Sequence, residues 1–171
     1  YVAFQAYNEI PGALSEAYWF FEQRRMELMH ADNLPVALFA WSVGEPHTAI
    51  WPLFVPLLRN MRPEDLALLH EYYVDTADID NPWHCARWQL VPELADVRIA
   101  MGETGRDVVE HRGQAGWRKS CDRRIFEMDL RKYDAKMQAN PNVVWGAVFG
   151  CGLVTPDWAA FSANVCNPIA S

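Results

Sequence analysis

Two rhythms of apolar residues take turns along this chain. Short, nearly continuous apolar runs suit strands covered on both faces, whereas apolar positions recurring every third or fourth residue suit helices with one buried stripe. Residues 1–9 (YVAFQAYNE) are a β-rich run closed by polar residues and the turn signal Pro11-Gly12, which predicts a buried strand. Over 13–31, Leu14, Tyr18, Phe21, Arg25 (through its aliphatic stem) and Leu28 recur at helical spacing. Residues 34–43 (LPVALFAWSV) predict a second strand, ended by Gly44 and Pro46. A second helix is predicted over 48–60, with Pro52 and Pro56 restricting where it begins.

The alternation continues to the carboxyl end. Residues 66–73 (LALLHEYY) predict a third strand. An acidic loop (Asp75, Asp78, Asp80) then leads to a Trp-rich helical stretch over 82–94, and 97–101 predict a fourth strand. Residues 103–117 are polar and Gly-rich. In 120–139, Phe126, Leu130, Tyr133 and Met137 mark the clearest helix. Residues 143–149 predict a fifth strand closed by Gly150 and Gly152, and 157–165 a last short helix with Thr155 or Asp157 as cap.

Five strand–helix units with apolar strands predict an α/β fold, a parallel sheet with helices outside it. A dinucleotide-binding open sheet would carry G-x-G-x-x-G after its first strand, and YNEIPGAL offers no such phosphate cradle. What recurs is ionisable chemistry at the carboxyl ends of strands: Asn8-Glu9, His47, His70 to Tyr73, and Glu103. In a (β/α)8 barrel, catalytic residues sit on that face.

Composition narrows the partners. A net charge of −7, from 15 basic and 22 acidic residues with no Lys/Arg block, gives no footprint for a phosphate backbone, so no nucleic-acid partner is expected. No apolar run approaches the length of a membrane helix, so no membrane partner is expected either. Cys85, Cys121, Cys151 and Cys166 are widely spaced, without C-x-x-C or a zinc-ligand pattern. Buried thiols are the ordinary reading, with a Cys151–Cys166 disulfide left open.

Glu9 and Glu103 each end a predicted strand, which in a parallel barrel brings both carboxylates to one mouth. A lone strand-end Glu is ordinarily solvated or salt-bridged; two at matching ends suggest glycoside hydrolysis. There one carboxyl group donates a proton to the leaving oxygen, and the other attacks the anomeric carbon or activates water. The chain also carries eight Trp in 171 residues, an enrichment that core packing or stacking on sugar rings explains. Trp41, near the end of the second strand, and Trp117, in the loop after Glu103, are the best placed to line a cleft; Trp83 and Trp88 follow the acidic loop.

With AYNE at the first strand and AMGETG at the fourth, the chain resembles the catalytic barrels of clan A glycoside hydrolases, where Asn-Glu ends the fourth strand and a second Glu the seventh. LPVALFAWSV and LALLHEYY would be the fifth and sixth strands. The resemblance implies that Glu9 is the general acid/base, that Asn8 holds the sugar 2-hydroxyl, and that Glu103 is the nucleophile of a retaining mechanism on a β-linked glycan. It further implies that His70 and Tyr72, on one face of LHEYY by their period-two spacing, hydrogen-bond nucleophile or substrate. An aromatic platform on the eighth strand would be Phe149 or the deeper Trp145 of VVWGAVFGCG. GETGRDVVEHRGQAGWRKS, followed by GAVFGCG and Trp158, is similar to the end of such barrels in a set of bacterial proteins.

This alignment makes the chain the last five units of a partial TIM (β/α)8 barrel, with three amino-terminal units missing. The missing strands or a second chain would be needed to cover the sheet edges. A carbohydrate substrate is implied and no cofactor; a polysaccharide substrate would favour an extracellular site of action. Two alternatives stand beside it. One is a metal-dependent barrel isomerase or hydrolase whose ion is held by Glu9, His70, Glu103 and His47. The other is a catalytically inactive glycan-binding barrel fragment.

Overall fold

The structure is a computed structural model that describes residues 3–107 and 116–149. Four strands, β1 (Ala37–Trp41), β2 (Leu66–Tyr73), β3 (Ile99–Arg106) and β4 (Val143–Val148), form one sheet in the order β1-β2-β3-β4, and each pair is parallel. The helices are α1 (Ser15–Ala31), α2 (Val55–Arg59), α3 (Trp117–Ser120) and α4 (Arg123–Gln138). The chain is thus α/β with strands paired in sequence order. The last predicted helix, with Trp158, Cys151 and Cys166, lies outside the described residues; Cys85 and Cys121 are free thiols. No helix among the described residues is long and apolar enough to cross a membrane.

β1, β2 and most of β3 are buried on both faces, whereas β4 is partly exposed and its Trp145, expected to lie deeper than Phe149, is 44% exposed. Leu38, Phe39, Trp41, Leu69, Tyr73 and Met101 join Tyr18, Met26 and Tyr133 of the helices in the larger cluster. Ala37, Leu66, Leu68 and Ala100 form a smaller cluster on the other face. His70 and Tyr72 continue the Leu66, Leu68 side of β2, while Glu71 points to the helices, as a period of two requires.

Several elements differ from the expected ones, each for a physical reason. The first run is not a strand: Phe4 makes a single parallel bridge to Val36, and residues 4–9 are exposed. Tyr7 turns to α1 instead, meeting Phe21 edge-on at 5.0 Å, while Ala3 packs on the sheet beside Ala37 and Leu66. The buried stripe of α1 is Ser15, Tyr18, Glu22 and Met26, with Leu14, Phe21 and Leu28 exposed. Glu22 can occupy that stripe because Arg25 pairs with it at 2.6 Å. The second helix is a 3-10 turn over Thr48–Phe54 followed by the short α2, as Pro52 and Pro56 would impose. The Trp-rich stretch is no helix but two 3-10 turns, Arg87–Gln89 and Pro92–Leu94.

β3 runs past Met101 to Arg106, so Glu103 lies within the strand and not beyond it. Its polar end is affordable in the interior because Arg106 pairs with the buried Asp129 of α4 at 2.7 Å. α4 begins at Asp122, whose carboxylate accepts from the Ile125 N–H at 2.9 Å, and buries Phe126, Asp129 and Tyr133.

Candidate functional site

Irregular pairing in two strands sets the site. Between Phe39 and Trp41 the register of β1 against β2 slips by one residue, and Phe39 and Ala40 take positive φ values of 84° and 51°. The buried Tyr18 hydroxyl satisfies this distorted backbone: it accepts from the Phe39 N–H and donates to the Phe39 carbonyl, both at 3.1 Å. The carbonyl of Ala40 then accepts from the Glu9 N–H at 3.0 Å, and Glu9 itself has φ 52°. Arg25 holds the same segment by donating to the carbonyls of Phe4 and Ala37.

The second irregularity lies between β2 and β3. Leu69 pairs with Met101, but His70 pairs with Glu103, leaving Gly102 as the extra residue. Strict alternation would keep Glu103 on the Met101 side, toward the helices; the bulge turns it to the His70 side. Glycine leaves room for the imidazole there: a Cβ at position 102 would stand 3.1 Å from His70 Nε2, tight enough to press on the ring.

Glu9, His70, Tyr72 and Glu103 converge as a result. His70 Nδ1 lies 2.9 Å from Glu9 Oε1 and 3.5 Å from Glu103 Oε2, and the Tyr72 hydroxyl donates to Glu103 Oε2 at 2.7 Å. One oxygen of each carboxylate and an imidazole nitrogen all lie within 4.8 Å of one another. Glu9 precedes His70 by 61 residues, so only the fold brings them together. His70 is buried, while Glu9 and Glu103 keep side-chain exposures of 39% and 26%, enough for a ligand to reach them.

The electrostatics are unequal. The hydrogen bond from His70 holds the Glu9 carboxyl below its ordinary range; burial opposes this, and the His70 charge and a hydrogen bond from Ser42 reinforce it. With Glu9 ionised, His70 Nδ1 carries the shared proton. Burial pushes the Tyr72 phenol far up, helped by its bond to the Glu103 carboxylate, so Tyr72 acts as a fixed donor.

The remaining candidates scatter. Asn8 is exposed, and its side-chain oxygen accepts from Gln5 at 2.9 Å. Phe149 lies at the end of β4 with its ring 6.0 Å from that of Tyr72, beside the site. Trp41 does not line a cleft: it is 0% exposed and packs edge-on against Tyr18 and Phe54. Trp117 is likewise buried, stacked on Phe126 at 4.6 Å. His47 stands outside the cluster, where its Nδ1 accepts from the Ala49 N–H at 3.2 Å. The sequence marks Tyr18 only as a buried helix position and gives no sign of Ser42, whereas Gly102 has a readable signal, a glycine beside a strand-end Glu.

A cavity of about 450 Å³ lined by Val55, Leu58, Pro92 and Val97 lies at the opposite end, before β3 begins. It holds none of these groups, and in parallel α/β sheets ligands sit beyond the carboxyl ends of the strands. No family model, curated protein or solved structure matches the chain.

Proposed function

We propose that this chain is part of a (β/α)8 barrel that hydrolyses β-linked glycans with retention of configuration, Glu103 acting as nucleophile and Glu9 as general acid/base. The observation that carries the reading is the convergence of two partly exposed carboxylates on one buried histidine, with a tyrosine hydroxyl fixing one of them. An oxygen of Glu9 and one of Glu103 lie within 4.8 Å of each other, so both carboxylates face one space, as the pair of a glycosidase must. A sheet that is all parallel and in sequence order, with Phe4 bridging to the segment before β1, supports a barrel over a doubly wound sheet.

In the first step the Glu103 carboxylate attacks the anomeric carbon while the glycosidic C–O bond breaks and the Glu9 proton passes to the leaving oxygen. In the second, ionised Glu9 takes a proton from water, and that water attacks the glycosyl ester and frees Glu103. Tyr72 holds the attacking carboxylate in place. The His70 contact favours the ionised Glu9 used in the second step, so the reading places the optimum on the acid side of neutrality.

The test is incubation of the chain with an activated fluoro-β-glycoside series and mass spectrometry of its peptides. The expected result is one added fluoroglycosyl group, on Glu103, absent from Glu103→Gln. Glu9→Ala should slow glycosides with poor leaving groups by about 10²–10⁴-fold and activated aryl glycosides far less. Equal slowing of both would remove the acid assignment.

A second reading rests on the same atoms. Two carboxylate oxygens and an imidazole nitrogen within 4.8 Å suit a divalent ion such as Mn or Zn, which would act as Lewis acid in an isomerase or hydrolase. Elemental analysis decides: a stoichiometric metal, with thermal stability lost on chelation, favours this reading over the glycosidase.

A further inference from the structure

Among the eight Trp of the chain, Trp83 is at once exposed and held from several sides. It stands in the segment after β2, at the carboxyl end of the sheet where Glu9, His70 and Glu103 meet. A single exposed aromatic is ordinary on a protein surface. The surroundings of this one are not.

The Arg87 guanidinium lies over the indole at 4.7 Å, yet Arg87 itself is 2% exposed. Its Nη2 donates to the carbonyls of Gly44 at 2.7 Å and Pro46 at 2.6 Å, which ties the loop after β1 to the ring. Gly44, with φ +77°, lies against the indole so closely that a Cβ there would stand 2.8 Å from Nε1. The His47 ring approaches edge-on at 6.5 Å. Next in the chain, His84 Nδ1 lies 3.2 Å from the carbonyl of Tyr72, the residue that donates to Glu103. The ring is therefore fixed by two loops and by a buried cation over one face, and the residue is still 40% exposed.

A fixed, partly exposed indole suits a ligand with a flat apolar face, and beside a carboxylate pair read as a glycosidase site the fitting ligand is the C–H face of a pyranose ring. We propose that Trp83 is a sugar-binding platform, a subsite for a pyranose unit of a glycan chain that extends from the carboxylate pair over the rim formed by the loops after β1 and β2. For its ligand class this rests on the glycosidase reading. It deepens that reading, because a subsite displaced from the reacting bond requires an oligosaccharide or polysaccharide and not a simple glycoside.

The test uses the Glu103→Gln chain, in which cleavage is blocked, and hexasaccharides of β-1,3- and β-1,4-linked glucose, xylose and mannose. Binding is followed by isothermal titration calorimetry. At least one hexasaccharide should bind, and adding Trp83→Met, which keeps apolar bulk but has no flat face, should weaken it about tenfold. Trp83→Tyr should recover most of the loss, which a folding defect would not do. If no hexasaccharide binds, or if Trp83→Met binds as tightly as its parent, the platform is overturned. Labelling of the wild-type chain by the fluoro-β-glycosides is run alongside. Labelling with no effect of Trp83→Met sinks the platform alone. A Trp83-dependent affinity without labelling sinks the hydrolase reading and leaves a glycan-binding surface.

Discussion

At the residue scale, His70 is the hinge of the chemistry, because its Nδ1 lies within 3.5 Å of both carboxylates and its hydrogen bond is the largest influence on Glu9. His70→Ala removes that bond and the nearby charge but leaves the burial, so the Glu9 carboxyl should titrate at higher pH than in the wild type. Carbon-13 NMR of glutamate-labelled chain, with Glu9→Gln to assign the signal, measures this directly; an unchanged or lower value would mean that His70 does not hold the charge of Glu9. The alkaline limb of any pH–rate profile should move upward with it. The carboxylates, His70 and Tyr72 were legible in the sequence because strand ends and period-two spacing are local signals. Their contacts were not, since the positive φ at Ala40 and the slip at Gly102 come from tertiary pairing that no window of residues displays. The same limit explains Trp41 and Trp117: a Trp at a strand end or in a loop reads alike whether its ring meets solvent or packs on Phe54 or Phe126.

At the scale of elements, Glu71 joins three of them. From β2 its carboxylate accepts from the N–H groups of Ala86 and Arg87, in the segment carrying Trp83, and from the hydroxyl of Tyr133 on α4. Burial pushes its carboxyl up, and these three donors oppose the rise. An acid whose pKa is higher folded than unfolded keeps a proton that the unfolded chain has already released. Stability should therefore fall as pH rises from the ordinary value of 4.5 toward the raised one. Tyr133→Phe removes a donor to the charge, so it should lower stability near neutral pH by about 1–3 kcal/mol and extend that fall to higher pH. Urea midpoints across a pH series measure both, and parallel curves for the two proteins would show that Glu71 does not titrate in this window. Helix positions such as Phe126 and Tyr133 were readable from spacing, whereas the buried Asp129 and Glu71 were not. A charged residue enters a core only when its partner, here Arg106 or Tyr133, arrives from elsewhere in the chain.

At the scale of the whole molecule, alternation of apolar runs predicted the parallel arrangement because a covered strand must be apolar on both faces. It failed for the first run, whose described residues 3–9 are mostly exposed, touch α1 through Tyr7 and make few backbone bonds to β1. Amide hydrogen exchange should follow this division: Leu66–Tyr73 slowest, residues 5–8 among the first to exchange. Uniform protection of both would show the amino-terminal segment to be an integral strand. The division has a bearing on the site, since Glu9 rides on that segment while His70, Tyr72 and Glu103 belong to the sheet. Three members of the constellation are fixtures and one is a tenant. Lifting the segment would vacate the Glu9 side of His70 and leave the Tyr72–Glu103 contact standing, so the cluster can lose one carboxylate without dismantling the sheet.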